Sequence, residues 1–197
     1  MSDSYGFGAD SKYCHPGSNV LINKLGIMDQ KQLDENETLI TSVKTLQIEM
    51  QPVEAEPDFA YLKHLHFALF DELYSWAGKI RTINISKMRT AFCPADQIEE
   101  TAKEIFERLQ ANRYFRGLPR NELVCELADL YDSINYLHPF REGNGRVQRL
   151  YFRRLAQWID HSLNFAAVDS DRMMIATVRA SAGVMDDLRQ VFEEILK

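Results

Sequence analysis

Residues 138–149 of this chain read HPFREGNGRVQR. The stretch joins two segments in which apolar residues recur every three or four positions, the spacing of one helix face. Upstream these positions are Leu123, Leu127, Leu130, Ile134 and Leu137, and downstream they are Val147, Leu150, Tyr151, Leu155 and Trp158. Pro139 disfavours helical geometry at the residue before it, so the first helix is predicted to end near Leu137. The fold is therefore predicted to centre on a helix-loop-helix with this stretch at its turn.

The second half of the stretch has the composition of a phosphate site. Gly143, Asn144 and Gly145 open the second helix, and glycine permits a close approach of the backbone to a ligand. Free amides at a helix start, together with the helix dipole, form an anion site. Arg146 and Arg149 lie three residues apart on one face, and guanidinium groups bind phosphate oxygens in a fork geometry. This combination predicts a ligand with more than one phosphate.

The first half of the stretch adds a carboxylate and a base. Glu142 would repel phosphates unless a cation lay between them, and Mg²⁺ binds carboxylate and phosphate oxygens together. His138 could be that base, because an unperturbed histidine has a pKa of about 6.5, which suits removal of a proton from a hydroxyl group. Taken together, the groups predict attack of a hydroxyl on a nucleotide phosphate.

Each group also has a structural interpretation. A lone histidine at a helix end is usually structural, and Gly-Asn-Gly is usually a turn. The two arginines could form a solvated face, and Glu142 could be an acid favoured by the helix dipole. Their joint order within twelve residues favours a site.

The rest of the chain predicts a mainly α protein with one short hairpin, forming a single domain over residues 1–197. Helices are predicted over about Asp29–Met50, from Asp58 toward Trp76 with Gly78 as its stop, from Pro94 to about Arg113, and from about Asp169 and Met185. The hairpin would pair Arg81–Ile85 with Thr90–Phe92 through a loop around Lys87–Arg89.

Composition excludes several classes of protein. No apolar run approaches the length of a membrane span, and the N-terminus lacks the features of a signal peptide, so a cytoplasmic protein is expected. The formal net charge of −6 argues against direct nucleic-acid binding. Cys14, Cys93 and Cys125 form no CxxC pair, and Cys125 is expected to be buried in the core.

The quoted stretch resembles the signature of the Fic (filamentation induced by cAMP) family, HPFx[D/E]GNGRxxR, at every specified position. The segment from Leu65 to Arg81, which contains Tyr74-Ser75-Trp76-Ala77-Gly78, is similar to the helix that precedes the family's flap. The resemblance is clear over about residues 58–160. Tyr5-Gly6 and residues 19–27 extend it toward the small bacterial Fic toxins.

The resemblance implies a Fic-type helical domain that transfers AMP from ATP to a Ser, Thr or Tyr hydroxyl of a target protein. His138 would be the general base, and Glu142 would bind Mg²⁺ between the α- and β-phosphates. The signature further implies the following ligands: Asn144 with the backbone of Gly143 and Gly145 for the α-phosphate, and Arg146 with Arg149 for the β- and γ-phosphates. Phe140 would pack into the core and hold the loop.

Other chemistries stay open at this point. A kinase-like branch of the family has lysine in place of the second glycine, so Gly145 favours AMP transfer. Phosphocholine and UMP transfer also occur in the superfamily. A catalytically silent module that binds a nucleotide is a further alternative.

Two partners are also implied by the resemblance. The hairpin would be a flap over about Asn84–Phe92 that adds an extended target segment to its edge, with docking residues Ile85, Ser86, Lys87 and Met88. DNA topoisomerase subunits are the candidate targets that the resemblance suggests. The inhibitory motif [S/T]xxxE[G/N] of many relatives was not found, which predicts a separate small antitoxin whose glutamate reaches Arg149.

Overall fold

The computed structural model describes residues 12–87 and 90–197. Within these ranges the chain forms a helical domain with one two-stranded hairpin. The helices are α1 (Gln30–Glu49), α2 (Phe59–Phe70), α3 (Ile98–Ala111), α4 (Arg120–Leu137), α5 (Asn144–Trp158), α6 (Ser170–Ala180) and α7 (Asp186–Ile195), and the strands are β1 (Ser86–Lys87) and β2 (Thr90–Ala91). The predicted fold class is confirmed. None of the helices within the described ranges combines the length and apolar character that a membrane span requires.

The central pair of helices is α4 and α5. Helix α4 packs against α3, α5, α6 and α7, while α5 also packs against α2. All five predicted apolar positions of α4 are buried, and the helix ends at Leu137 as Pro139 predicts. The loop between the two helices is therefore held between packed elements.

Three aspartates begin helices where the sequence places them. The Asp29 side chain accepts a hydrogen bond from the amide of Gln32, and that of Asp58 accepts one from the amide of Tyr61. Asp169 does the same for Asp171. These contacts satisfy amides that lack a partner inside the helix, which is why the predicted starts of α1, α2 and α6 are confirmed.

Helix α2 is shorter than the sequence predicts. It ends at Phe70 and not near Trp76, and Gly78 terminates the following turn with φ +74°. The carbonyl of Leu73 accepts a hydrogen bond from the amide of Lys24, and the Lys24 ammonium binds the carbonyl of Asp71. Contacts from a distant segment therefore take the carbonyl groups that a longer helix would use.

The hairpin exists, but its first strand lies later than predicted. Ser86 pairs with Ala91 and Lys87 with Thr90, whereas residues 81–85 are irregular. The Arg81 guanidinium donates to the Ile83 carbonyl, which bends this segment. Lys87, predicted in the loop, is in β1, and Met88 lies outside the described residues, as does Tyr5-Gly6.

The expected burial of Cys125 is wrong. Cys14 and Cys93 are buried, whereas Cys125 is exposed. Leu123, Val124, Leu127 and Ala128 turn toward the core of the protein. Position 125 falls on the opposite side of α4, because successive helical residues are about 100° apart.

Candidate active site

The loop between α4 and α5 is closed by the side chain of Asn144. Its Oδ1 accepts a hydrogen bond of 2.9 Å from the Phe140 amide, and its Nδ2 donates one of 2.8 Å to the Phe140 carbonyl. Phe140 is fully buried and stacks on His66, with 3.8 Å between the ring centres. A buried side chain and a paired backbone thus hold the loop in one conformation.

His138 adopts a left-handed conformation at the end of α4, with φ 40° and ψ 59°. Its Nδ1 lies 3.1 Å from the Asn135 carbonyl, and since a carbonyl only accepts, Nδ1 carries the proton and Nε2 the lone pair. The ring stacks on Phe92 with 3.7 Å between centres. Burial chiefly lowers the pKa of His138 to about 3, with smaller contributions from Arg81 and Lys87. The imidazole is therefore neutral at pH 7 and can accept a proton.

Arg81 holds the backbone on the His138 side of the loop. It is 1% exposed, and its Nε donates to the His138 carbonyl at 2.8 Å. Its own amide donates to the Pro139 carbonyl at 2.9 Å, and its Nη2 donates to the Cys93 carbonyl. The sequence placed Arg81 in the predicted first strand and in the family resemblance but indicated no role for its side chain, because the His138 backbone that it binds lies far along the chain.

His66 holds the backbone on the Glu142 side. The Gly78 amide donates to Nδ1 at 2.8 Å, so Nε2 carries the proton and donates to the Glu142 carbonyl at 3.0 Å. Complete burial lowers the pKa of His66 to about 3, mainly through the loss of solvation. The sequence interpretation of His66 as a packed histidine agrees with this burial.

Gly143 forms the turn into α5. Its φ is +79°, and a Cβ built on it would lie 2.3 Å from Cζ of Phe70, so only glycine fits. The first hydrogen bond of α5 runs from the Val147 amide to the Gly143 carbonyl, and amides before it have no partner inside the helix. The Gly143 amide donates to Oε1 of Glu142 at 3.1 Å. The helix start thus already binds an oxyanion, here a carboxylate.

Both arginines of the stretch lie at this helix start. The Arg146 guanidinium sits 4.9 Å from the centre of the Phe70 ring, and its Nη2 is 3.7 Å from Oε1 of Glu142. Nη1 of Arg149 lies 3.4 Å from a Cβ built on Gly145, so this side chain folds back along α5 toward the turn. Two cationic side chains and a set of helix amides therefore lie near the start of α5.

The structure brings the predicted phosphate ligands together at one end of a helix. Glu142, Gly143, Gly145 and the two arginines gather at the start of α5. Both polar atoms of the Asn144 side chain form hydrogen bonds with the Phe140 backbone. Of the predicted docking residues, Ile85 is buried, and Ser86 and Lys87 are half-buried.

Sequence reasoning missed one charged residue of the site. Glu37 is 7% exposed, lies on the core-facing side of α1 with Leu33 and Thr41, and forms an ion pair with Arg146. An acidic residue at a core-facing position of an amphipathic helix was the available signal, because a buried carboxylate requires a partner.

Comparison with known proteins gives a consistent result. The model of the Fic/DOC family matches residues 56–156. The chain is 30% identical over 196 residues to an Escherichia coli protein named "Probable protein adenylyltransferase Fic", a match that covers 100% of this chain and 96% of the relative. It is 33% identical to a Bartonella henselae "Protein adenylyltransferase", of which it spans 37%.

Solved structures agree with these relatives. The N-terminal Fic domain of a VirB-translocated Bep effector from Bartonella quintana, solved with bound ADP, superposes with a TM-score of 0.89 at 27% identity and covers 95% of each chain. The BepC protein of Bartonella tribocorum with bound AMPPNP gives a TM-score of 0.87, also at 27% identity, over 94% of this chain and 96% of BepC.

Proposed function

Because the chain belongs to the Fic/DOC family, we propose that its site transfers AMP from ATP to a hydroxyl side chain of a target protein. The chain is an enzyme of the protein adenylyltransferase class, since relatives of nearly its own length, 30% and 31% identical, carry that name. The observation that supports the reaction is the oxyanion-binding start of α5, flanked by two arginines and joined to a neutral histidine by a closed loop.

The proposed nucleotide position follows from charge. The backbone amides at Gly143, Asn144 and Gly145 would bind the α-phosphate, where the helix dipole favours negative charge. Arg146 and Arg149 would bind the β- and γ-phosphates as planar, permanently charged donors. Neighbouring structures with bound ADP and AMPPNP support an adenine nucleotide as the substrate.

The proposed base is Nε2 of His138. It takes the proton of the target hydroxyl while the hydroxyl oxygen forms a bond to the α-phosphorus. The bond from the α-phosphorus to the bridging oxygen breaks, and pyrophosphate leaves with that electron pair. Because the pKa of His138 is low, the imidazole is deprotonated when the target arrives and its proton can pass on to solvent.

Glu142 fits a magnesium site. Its carboxylate lies against the Gly143 amide and near Arg146, where an incoming phosphate would meet it. Mg²⁺ prefers one or two carboxylates together with phosphate oxygens and water. When bound, it would neutralise charge on the phosphates, and Glu142 would be its carboxylate ligand.

The hairpin is the proposed docking edge for the target. Ser86 and Lys87 belong to a two-stranded sheet, and such an edge can receive an extended segment through backbone hydrogen bonds. Ile85 is buried, so its backbone and not its side chain would face the target. Met88 remains part of the proposed edge, and DNA topoisomerase subunits remain candidate targets.

Regulation by a separate antitoxin is the finer part of the proposal. Within residues 12–87 and 90–197, no carboxylate forms an ion pair with Arg149. A small protein that supplies a glutamate there would compete with the γ-phosphate. A 31% identical relative is the "Protein adenylyltransferase VbhT" of Bartonella schoenbuchensis, of which the chain spans 37%.

Labelled nucleotides test the reaction directly. Incubation of the purified chain and a cell lysate with ATP labelled at the α-phosphate should label one or a few proteins, while label at the γ-phosphate should not transfer. His138→Ala should reduce the labelling by about 10²–10⁴-fold, the usual contribution of a general base. Transfer of γ-label would identify a kinase instead, and ATP binding without any labelling would favour the silent module.

A further inference from the structure

Glu37 is a buried carboxylate that the proposed reaction does not use. It lies in α1, outside residues 56–156 that match the family model. Its Oε1 accepts a hydrogen bond from Nη2 of Arg146, and its Oε2 accepts one from the hydroxyl of Tyr74. Burial of a carboxylate is unfavourable unless such partners compensate for the lost water, so these contacts define where Glu37 can sit.

Tyr74 in turn holds Glu37 in place. Its ring stacks on Trp76 with 4.4 Å between centres and is almost fully buried. Burial, followed by the charge of Glu37, raises the pKa of Tyr74 well above its ordinary value, so the hydroxyl keeps its proton and donates. The carboxylate therefore has one oxygen bound to a rigid aromatic cluster and one bound to the guanidinium.

The contact between Glu37 and Arg146 determines how the guanidinium is oriented. Glu37 and Glu142 both contact Nη2, and neither contact occupies Nε or Nη1. The guanidinium carbon lies 4.9 Å from the centre of the Phe70 ring, and the same ring lies against Gly143. Burial alone would lower the pKa of Arg146, but the attraction of Glu37 and then Glu142 outweighs it and raises the pKa. The charged fork is thus held beside the start of α5.

We propose that Glu37 is a positioning residue that orients Arg146 toward the β- and γ-phosphates of the nucleotide. This inference rests on the proposed function, because it assigns Arg146 to those phosphates. It means that the segment before the family-model region completes the triphosphate site. Without Glu37, the arginine would keep its charge but would sample several rotamers, and ordering it would cost binding free energy.

Nucleotide binding by single variants tests the proposal. Glu37→Gln keeps the size of the side chain but removes its charge, and we expect roughly tenfold weaker ATP binding and a similar rise in KM for ATP, with kcat within about twofold. AMP has no β- or γ-phosphate, so its Kd should change by less than about twofold. An equal loss of ATP and AMP affinity, or no loss of either, overturns the proposal.

Glu49→Gln is the matched control. Glu49 lies on the same helix and forms an ion pair with Arg153 of α5, one turn beyond Arg149. It therefore resembles Glu37 as a bridge between α1 and α5 but does not contact Arg146. We expect the ATP affinity of Glu49→Gln to equal that of the unmodified protein. An equal loss of ATP affinity in both variants would mean that Glu37 only links α1 to α5, which contradicts the positioning role.

A double-mutant cycle separates positioning from stability. If Glu37 acts through Arg146, then Glu37→Gln should not weaken ATP binding further in a chain that carries Arg146→Ala. Additive losses contradict the proposal. Tyr74→Phe provides a second route if the double variant does not fold: it should weaken ATP binding in the same direction, by less than Glu37→Gln, and spare AMP.

These measurements need no target protein. A chain that binds ATP, shows the expected ATP-selective loss in Glu37→Gln and yet labels no protein would leave the positioning role standing while the proposed transfer fails. Normal AMP transfer together with unchanged ATP affinity and KM in Glu37→Gln would instead overturn the positioning role and leave the proposed transfer standing.

Discussion

At the scale of single residues, hydrogen bonds to neighbouring backbone groups fix the tautomers of the two buried histidines near the site. His138 donates through Nδ1 to the Asn135 carbonyl, so its Nε2 can only accept. His66 is held the opposite way by the Gly78 amide and the Glu142 carbonyl. Two buried histidines thus have different tautomers: Nε2 has a lone pair in His138 and a proton in His66.

The first prediction concerns the pH dependence of AMP transfer. Because burial lowers the pKa of His138 to about 3, the base stays deprotonated well below its ordinary pKa. The initial rate of AMP transfer, measured at each pH, should therefore stay level between pH 8 and pH 6. As a control for inactivation, enzyme incubated at each pH should regain full activity when it is returned to pH 7.5. A half-maximal rate near pH 6.5 would show a base with an unperturbed pKa.

The second prediction concerns the turn at Gly143. Gly143→Ala should reduce the free energy of unfolding by about 1–3 kcal/mol or more, because φ is +79° and the new Cβ meets the Phe70 ring. Gly145→Ala is the comparison, since a Cβ there meets only the end of the Arg149 side chain at 3.4 Å. Urea unfolding of both variants provides the measurement, and equal losses would contradict the assigned contact.

At the scale of helices and strands, the sequence predicts ends that depend on neighbours in the chain. Pro139 ends α4 at Leu137, and the aspartates begin their helices, because these signals act within a few residues. The end of α2 depends on Lys24, and the bend before β1 depends on Arg81, whose partners include His138 and Cys93. Local patterns do not contain such contacts, so these two boundaries were mispredicted.

The third prediction tests one of these local signals. Asp58→Ala should lower the free energy of unfolding by about 1 kcal/mol, since it removes the acceptor of the Tyr61 amide at the start of α2. Asp58→Asn keeps an acceptor and should lose much less. Thermal and urea unfolding would measure both, and equal stability of the alanine variant and the unmodified chain would argue against the cap.

At the scale of the whole molecule, the candidate site is assembled from segments far apart in sequence. Residues 138–149 supply the groups that the sequence identified, and those positions could be predicted because they are contiguous. Arg81, His66 and Glu37 support them from other elements, and each is buried against a partner more than fifty residues away. Their roles become visible only when the fold brings the segments together.

The fourth prediction is a loss of stability in acid. The pKa values of His66 and His138 are lowered to about 3, so between about pH 6.5 and pH 3 the unfolded chain binds protons that the native chain does not. The free energy of unfolding should therefore fall as the pH drops through this window, by about 1.4 kcal/mol per pH unit for each histidine.

His66→Gln tests the size of this effect. The variant should lose about half of the histidine-dependent slope. His64→Gln is the control, because it makes the same substitution on the same helix at an exposed side chain. Urea unfolding at several pH values measures the slope for the unmodified chain and for both variants. Identical slopes in all three proteins would assign the acid sensitivity to other groups.

The closed loop has a consequence for kinetics. Asn144, Arg81 and His66 hold the backbone at residues 138, 140 and 142 by hydrogen bonds. An incoming nucleotide would meet a surface that is already shaped, and its capture should follow a single exponential in a stopped-flow experiment, with an observed rate that rises linearly with nucleotide concentration and no plateau.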